Sequence, residues 1–506
     1  MALFGGVFFM THADRQQKMR QAVPRQLSES TALFKEVLNA PLNEDAIFRA
    51  YMAGGTGICA VYIEGMADEK LIGEFVLRAV SGLDDSQSED ISALENRLLE
   101  IAQVSHAATV AQAVESVVSG MTCLLIDGSA EALLLETRAY PHRGVEQPTN
   151  EDVVIGPHEA FNEHFRTNIS LVRRYVQSPD LITEKIKLGT SIPTQAAILY
   201  LTGAASDACV QEVRRRLRLV NAPVVNGSGA LEQLIEDHPY SLLPQMLQTE
   251  RPDRAASCIT DGQIAIIVEN SPYALIAPVT LFHLVHASDD SFLRWQYGSA
   301  IRLVRMLGVL VSLLLPAVYV ALTLYHTHLI PMALLTSIAE SRANVPFPVV
   351  VEVLFMEFSF YLLNEAGLRT PAQIGSAFGI VGALVLGQAA VSASIISPIL
   401  IIIIALTGLG NYVIPNYGFG VGLIIYRLLL IILSALMGVY GLTIGLFAIV
   451  LHLCALKSFG VDFMAPVAPW RRHNPDILLR LPLRFQKTAL FFSSPHNWVR
   501  RKEHDT

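Results

Sequence analysis

The sequence predicts a two-part protein: a cytosolic α/β region of two related subdomains, followed by a polytopic α-helical membrane domain. Three observations predict this. Charged residues make up only 16% of the chain, against roughly 25% in soluble proteins, and the deficit is confined to the second half. That half contains several apolar stretches long enough to cross a bilayer. The first half twice repeats a strand that ends in glycine and leads into a helix.

The first repeat begins with Ile58-Cys-Ala-Val-Tyr-Ile-Glu-Gly65 and the second with Ala196-Ala-Ile-Leu-Tyr-Leu-Thr-Gly203, each followed by an acidic helix start. Further apolar runs at 121–128 and 130–138, and again at 263–269 and 273–279, read as strands at a similar distance from each glycine. Two α/β subdomains of related plan follow, about 30–145 and 150–290, joined by a proline- and glycine-punctuated linker at 140–150. The acidic run 84–90 reads as a solvated turn. Leu3 to Met10 is apolar but lacks the basic segment of a signal peptide, so the first half is expected to stay where it is made. The whole chain partitions into 1–145, 150–295, a membrane domain 296–455 and a basic tail 456–506.

Between Arg369 and Arg427 there is no Asp, Glu, Lys or Arg, and 428–456 is again free of them. Four spans are expected, at about 302–325, 373–393, 395–414 and 421–454, with Pro316 kinking the first. The stretch 347–363 is shorter and carries Glu352 and Glu357. It reads as an interfacial or re-entrant helix, or one packed inside the bundle. Arg302 and Arg305 precede the first span, at the expected junction of the α/β region with the membrane. Lys457, Arg471, Arg472 and further basic residues follow the last span. The excess of basic residues places both flanks in the cytosol, which requires an even number of crossings.

In the second span Gly375, Gly379, Gly382, Ala383, Gly387 and Ala390 share one helical face, with Gln388 opposite. Small residues let helices approach closely, so this face is expected to pack against another helix or another copy. Gly438, Gly441 and Gly445 repeat the pattern in the last span. A charge at membrane depth costs about 2.5–3.5 kcal/mol on insertion scales and tends to face a cavity or a partner. Glu352, Glu357, Gln388 and Asn411 are therefore the candidates for an ion path. Arg427, placed near one end of its span, reads as snorkelling to the headgroups.

A net charge of −8 argues against a nucleic-acid partner. No phosphate-binding glycine loop, nucleophile–base arrangement or metal-ligand spacing is present, so neither an enzyme nor a cofactor is expected. His158 and His164 are six residues apart and cannot meet on one helical turn, and His326-Thr-His328 reads as an exposed polar loop. The five cysteines form no CxxC pair and read as reduced thiols.

Several long blocks resemble the GerA-type spore germination proteins. They include Gly156-Pro-His-Glu-Ala-Phe-Asn-Glu, Leu234-Ile-Glu-Asp-His-Pro-Tyr-Ser241 and Gln248-Thr-Glu-Arg-Pro-Asp-Arg254. In the membrane half they include Ser312-Leu-Leu-Leu-Pro-Ala, Val345-Pro-Phe-Pro348, Val413-Ile-Pro-Asn-Tyr417 and Leu451-His-Leu-Cys-Ala-Leu-Lys-Ser-Phe-Gly460. The resemblance covers about 27–469. It implies the A subunit of a nutrient germinant receptor in the inner spore membrane. Such a subunit acts as a homo-oligomeric, ion-conducting part beside a permease-like B subunit and a lipoprotein C subunit, and monovalent ions pass when nutrient is sensed. A SpoVAF-like accessory channel subunit and a non-conducting scaffold are the alternatives. The stretch Thr190-Ser-Ile-Pro-Thr departs from the more basic stretch of many relatives.

Overall fold

The computed structural model describes residues 12–53, 55–78, 103–139, 155–369 and 387–470, with a few isolated positions besides. The acidic run 84–90, nearly all of the linker 140–150, the glycines Gly375, Gly379 and Gly382, and most of the basic tail lie outside the described residues.

In the first half, helix α1 (Leu27–Val37) is followed by β1 (Ala46–Ala53), β2 (Thr56–Ile63), β3 (Val104–Ala107), α2 (Val110–Val118), β4 (Thr122–Ile126) and β5 (Ala132–Leu135). The second half repeats the plan with α3 (Phe165–Tyr175), β6 (Leu181–Leu188), β7 (Thr194–Leu201), α4 (Asp207–Leu219), β8 (Leu247–Thr249), α5 (Pro252–Thr260), β9 (Ile264–Val268) and β10 (Ala274–Ala277). The strand orders are β1-β2-β4-β5-β3 and β6-β7-β9-β10-β8, so corresponding strands occupy corresponding places. Every pairing is antiparallel. The central strands β4 and β9 are buried along their whole length, as strands covered on both faces must be. Helix α2 follows from its spacing: Val110, Ala113, Val114, Val117 and Val118 form the buried stripe, at the i, i+3, i+4, i+7 positions of one helical face. Thr109 caps it by accepting from the Gln112 N–H.

The two halves meet at a buried guanidinium. Arg173 on α3 donates to both carboxylate oxygens of Asp45, to Asn43 Oδ1 at 2.7 Å, to Leu181 O at 3.1 Å and to Thr183 Oγ1 at 3.2 Å. The Thr183 N–H in turn donates to Asn43 Oδ1.

The helical region comprises α6 (Trp295–Leu324), α7 (Val349–Arg369), α8 (Pro398–Tyr412) and α9 (Tyr417–Ala455). Of the described helices, α6 and α9 combine the length and apolarity of a membrane span, and α8 is apolar but shorter. One buried apolar cluster runs from Phe161 and Ile259 through Val285 to Leu313, Leu400 and Leu430. The second half and the helices therefore share an interior.

One expectation from the sequence changes here. The stretch 421–454 is a hairpin rather than a single span. Gly438 has φ 62° and ψ −138°, a region open to glycine alone, and the chain reverses there. The returning arm packs on the outgoing one: a side chain at Gly441 would overlap the Leu433 carbonyl, one at Gly445 would press on Leu430, and the Tyr426 and His452 rings lie 6.3 Å apart. The reversal sits against the end of α6, where the Tyr325 hydroxyl donates to Ala435 O at 2.8 Å. Asn416 starts the outgoing arm by accepting from the Phe419 N–H. Gly438→Val should lower the thermal midpoint of the detergent-solubilised protein, because backbone strain alone costs on the order of 1–3 kcal/mol and the added group meets Tyr325 at 3.0 Å. An unchanged midpoint would contradict the turn.

The stretch 347–363 takes the third of its expected forms. It belongs to α7, which is 21 residues long and packs against the other helices of the bundle. Its Glu357 reaches the level of Ser312 through Arg427, and its Asn364 accepts from the Tyr412 hydroxyl at 3.0 Å. Helices α7 and α8 run antiparallel to α6. Backbones approach where Gly308 meets Gly410, since a Cβ on Gly410 would come within 2.6 Å of Gly308 O. Both flanks of the helical region lie at the α/β end. After α9 the chain forms β11 (Lys457–Ser458) and β12 (Val461–Asp462), which dock on the second half. Ser458 Oγ donates to Gln245 O, Val279 N donates to Ser458 Oγ, and Arg216 stacks over Phe459 at 4.4 Å.

Candidate functional site

Halfway along the helices, three of them bring polar groups together. Arg427 lies ten residues into the outgoing arm of α9 and eleven before Gly438. Its placement near the end of a long span therefore changes: the hairpin turns an end position into a middle one. It is only 3% exposed and donates to Glu357 Oε2 at 2.8 Å, Ser312 Oγ at 3.0 Å and Ser312 O at 3.2 Å. Glu357 comes from α7 and Ser312 from α6. Beside them Asn411, from α8, lines a small pocket with Glu357, Phe360, Tyr361, Asn364, Tyr412, Ile424 and Arg427. Its enclosed part has room for about one water.

The pairing leaves atoms unmatched. Glu357 Oε1, Arg427 Nε and Asn411 Oδ1 are buried and have no hydrogen-bond partner among the described residues. A buried unsatisfied group costs about 1–3 kcal/mol, and native proteins retain such groups where a water, an ion or a second state uses them. Chemically, the cluster presents carboxylate and amide oxygens with one cation, enough to hold or repel a monovalent ion according to where the guanidinium lies.

The other predicted residues lie elsewhere. Glu352, 2% exposed, pairs with Arg342 at 3.0 Å and accepts from the Ser397 N–H at the start of α8. Gln388 is exposed and does not line the pocket beside Glu357 and Arg427. Gly387 is buried, and a Cβ there would make an ordinary contact with Ile401. Of the four predicted path residues, the structure thus brings together Glu357 and Asn411. Ser312 and Arg427 complete the cluster. Ser312 was legible as a lone hydroxyl inside an apolar run.

Arg302 and Arg305 stand at the root of α6. Both are nearly fully buried and share Asp290: Arg302 Nε donates at 3.2 Å and Arg305 Nη1 at 2.9 Å, with a second Arg305 bond to Val285 O. Arg480 donates to the backbone carbonyls of Asp290, Ser291 and Leu293, while its own amide and carbonyl bond Ser299 Oγ. Asp290 and Arg480 were missed by sequence reasoning, because the two are 190 residues apart. Among the described residues no group of three or more His, Cys, Asp or Glu is arranged to hold a metal. Cys59, Cys123, Cys209 and Cys258 are buried, and all five cysteines are free.

The helices expose large apolar side chains, among them Leu303, Leu307, Leu310, Leu406, Leu436 and Phe447. Fold and site together define a class: an antiparallel α/β region rooted through an arginine–aspartate knot on a membrane-associated bundle with a buried polar centre. Residues 32–490 match the Bacillus/Clostridium GerA spore germination protein family, and the chain belongs to that family. It is similar to spore germination protein KA of Bacillus subtilis (strain 168), 38% identical over 429 residues, covering 84% of this chain and 78% of that one. It is also similar to spore germination protein B1 of the same organism, 35% identical over 467 residues, covering 91% and 96%. Among solved structures it is similar to the N-terminal domain of the A subunit of the Bacillus megaterium spore germinant receptor GerK3. That similarity is 30% identity with a TM-score of 0.41, covering 51% of this chain and 96% of that one.

Proposed function

We propose that this chain is the A subunit of a nutrient germinant receptor of the inner spore membrane. It acts as a homo-oligomer with a permease-like B subunit and a lipoprotein C subunit, and its helices gate a path for monovalent ions. The two related sheets form a cytosolic platform, and both flanks of the multi-pass helical domain lie on that side. Nutrient recognition belongs to the partners. The observation that carries this reading is the half-depth cluster of Glu357, Arg427 and Ser312, with Asn411 lining the pocket beside it nearer the α/β end, and the three unmatched atoms they leave.

In the closed state Arg427 neutralises Glu357 and is held by Ser312. Opening requires a state in which Arg427 makes different contacts, so that Glu357 and Asn411 turn their oxygens to a passing cation. A partner that favours that state shifts the population by its differential affinity, about 1.4 kcal/mol per tenfold.

The test is potassium efflux from liposomes that hold the purified chain, alone and with its B-type partner. Glu357→Gln and Arg427→Gln are expected to change efflux at least several-fold. Gln388→Leu distinguishes where the path runs. Loss of efflux in this variant, with the Glu357 and Arg427 variants unchanged, would move the path to surfaces between copies. No efflux from the wild type with its partner would favour a non-conducting scaffold.

A further inference from the structure

A loop of the α/β region, just before β8, packs against the side of the helical hairpin. Residues Pro239-Tyr-Ser-Leu-Leu-Pro244 carry no charge, and Tyr240 at the tip is 99% exposed. An exposed aromatic on a loose loop would mean little, but this loop is held rigidly. The His238 carbonyl accepts from the Ser241 N–H at 2.9 Å and closes the turn. Gln245, fully buried, accepts from the Asp237 and His238 N–H groups and donates to the His238 carbonyl at 2.8 Å. Asp237 is itself tied to Arg216 and to the Phe459 N–H. A buried side-chain lattice therefore fixes the base of a turn that points one tyrosine outward.

Its depth follows from its neighbours. A Cβ on Gly418 would touch Pro244 at 3.6 Å, and one on Gly422 would overlap the Leu242 carbonyl and meet Leu243 at 2.8 Å. Gly422 lies sixteen residues before the reversal at Gly438, about 24 Å along the helix axis. The hydrocarbon layer is about 30 Å thick. With the reversal at one face of that layer, the backbone of Leu242 lies within about 6 Å of the opposite face. Leu242 is 39% exposed there, and Tyr417 and Tyr412, both exposed, stand at the same end of the bundle.

We propose that the 239–244 turn is an interfacial anchor, with Tyr240 and Leu242 seated among the headgroups and upper acyl chains of the cytosolic leaflet. The chemistry suits it. A tyrosine places its ring in the apolar boundary and its hydroxyl in the wet layer, and an uncharged segment between prolines meets no desolvation penalty for a charge. The anchor would hold the α/β platform at a set height and tilt against the hairpin. The inference rests on the membrane reading of the helices.

The experiment uses the full chain with its three tryptophans (Trp295, Trp470 and Trp498) changed to phenylalanine and one new tryptophan introduced by Tyr240→Trp. It is reconstituted in vesicles whose lipids carry bromine near the top of the acyl chains. Phe447→Trp, on the exposed face of the returning arm, is the positive control. Met52→Trp, 73% exposed on β1, is the negative control. Quenching at 240 at least twofold above that at 52 is the expected result. Quenching at 240 equal to that at 52, with 447 quenched, would overturn the anchor and leave the turn facing water or a second copy. An unquenched 447 would overturn the membrane reading itself and the anchor with it.

Discussion

Replacing Arg173 with methionine is expected to destabilise the protein by about 3–5 kcal/mol, the usual cost of removing one partner of a buried ion pair. The guanidinium is 1% exposed and Asp45 is as deeply buried. The substitution strands the Asp45 carboxylate, and it removes donors to Asn43, Leu181 and Thr183 in the same step. Because these groups come from both halves of the α/β region, the loss should fall on the seam between the sheets. Hydrogen exchange of the full-length protein should rise first in β1 and β6, whose starts flank the knot. The double variant Asp45→Asn with Arg173→Met should be less damaged than the two single losses added together, because neither charge is then left alone. Additive losses would mean that the pair is not the element that holds the seam.

Asp290→Ala is the second large loss expected, again about 3–5 kcal/mol. Asp290 is a carboxylate that both buried arginines at the root of α6 share. Without it, Arg302 and Arg305 share a dry site with mutual repulsion. The damage should appear as uncoupling rather than general unfolding. Limited proteolysis should cut between Val285 and Trp295 while both sheets stay protected. Adding Arg305→Met to Asp290→Ala should restore part of the resistance, since it relieves the repulsion. If proteolysis instead attacks the sheets first, the root is not a separate unit. If it is unchanged in Asp290→Ala, the knot does not join α6 to the region below it.

Much of the architecture was legible in the chain before folding. The strands that could be read, β2, β4, β5, β7, β9 and β10, are those with unbroken apolar runs, because they sit inside their sheets and are covered on both faces. The strands that escaped, β1, β3, β6 and β8, are the edges. Leu181-Ile-Thr-Glu-Lys-Ile-Lys-Leu188 carries three charges, and two of them make specific pairs: Glu184 with Arg214 and Lys185 with Glu64. A charged edge strand has no pattern that separates it from a loop. In the helical region, the glycines were visible as a packing face, yet the decisive one, Gly438, looked like one member of that face. Only its positive φ turns one long apolar run into two antiparallel arms.

The sequence by itself determined the division into an α/β region and an apolar helical region, because charge density and hydrophobic period are local properties. It also determined the duplication, the family, and the identity of the residues too polar for their surroundings. Tertiary structure alone decided which of those residues meet. Glu357 and Arg427 are 70 residues apart and Ser312 and Arg427 are 115 apart. A buried charge selects its partner by where the backbone places a matching group, and that depends on one glycine reversal and on the direction of each helix.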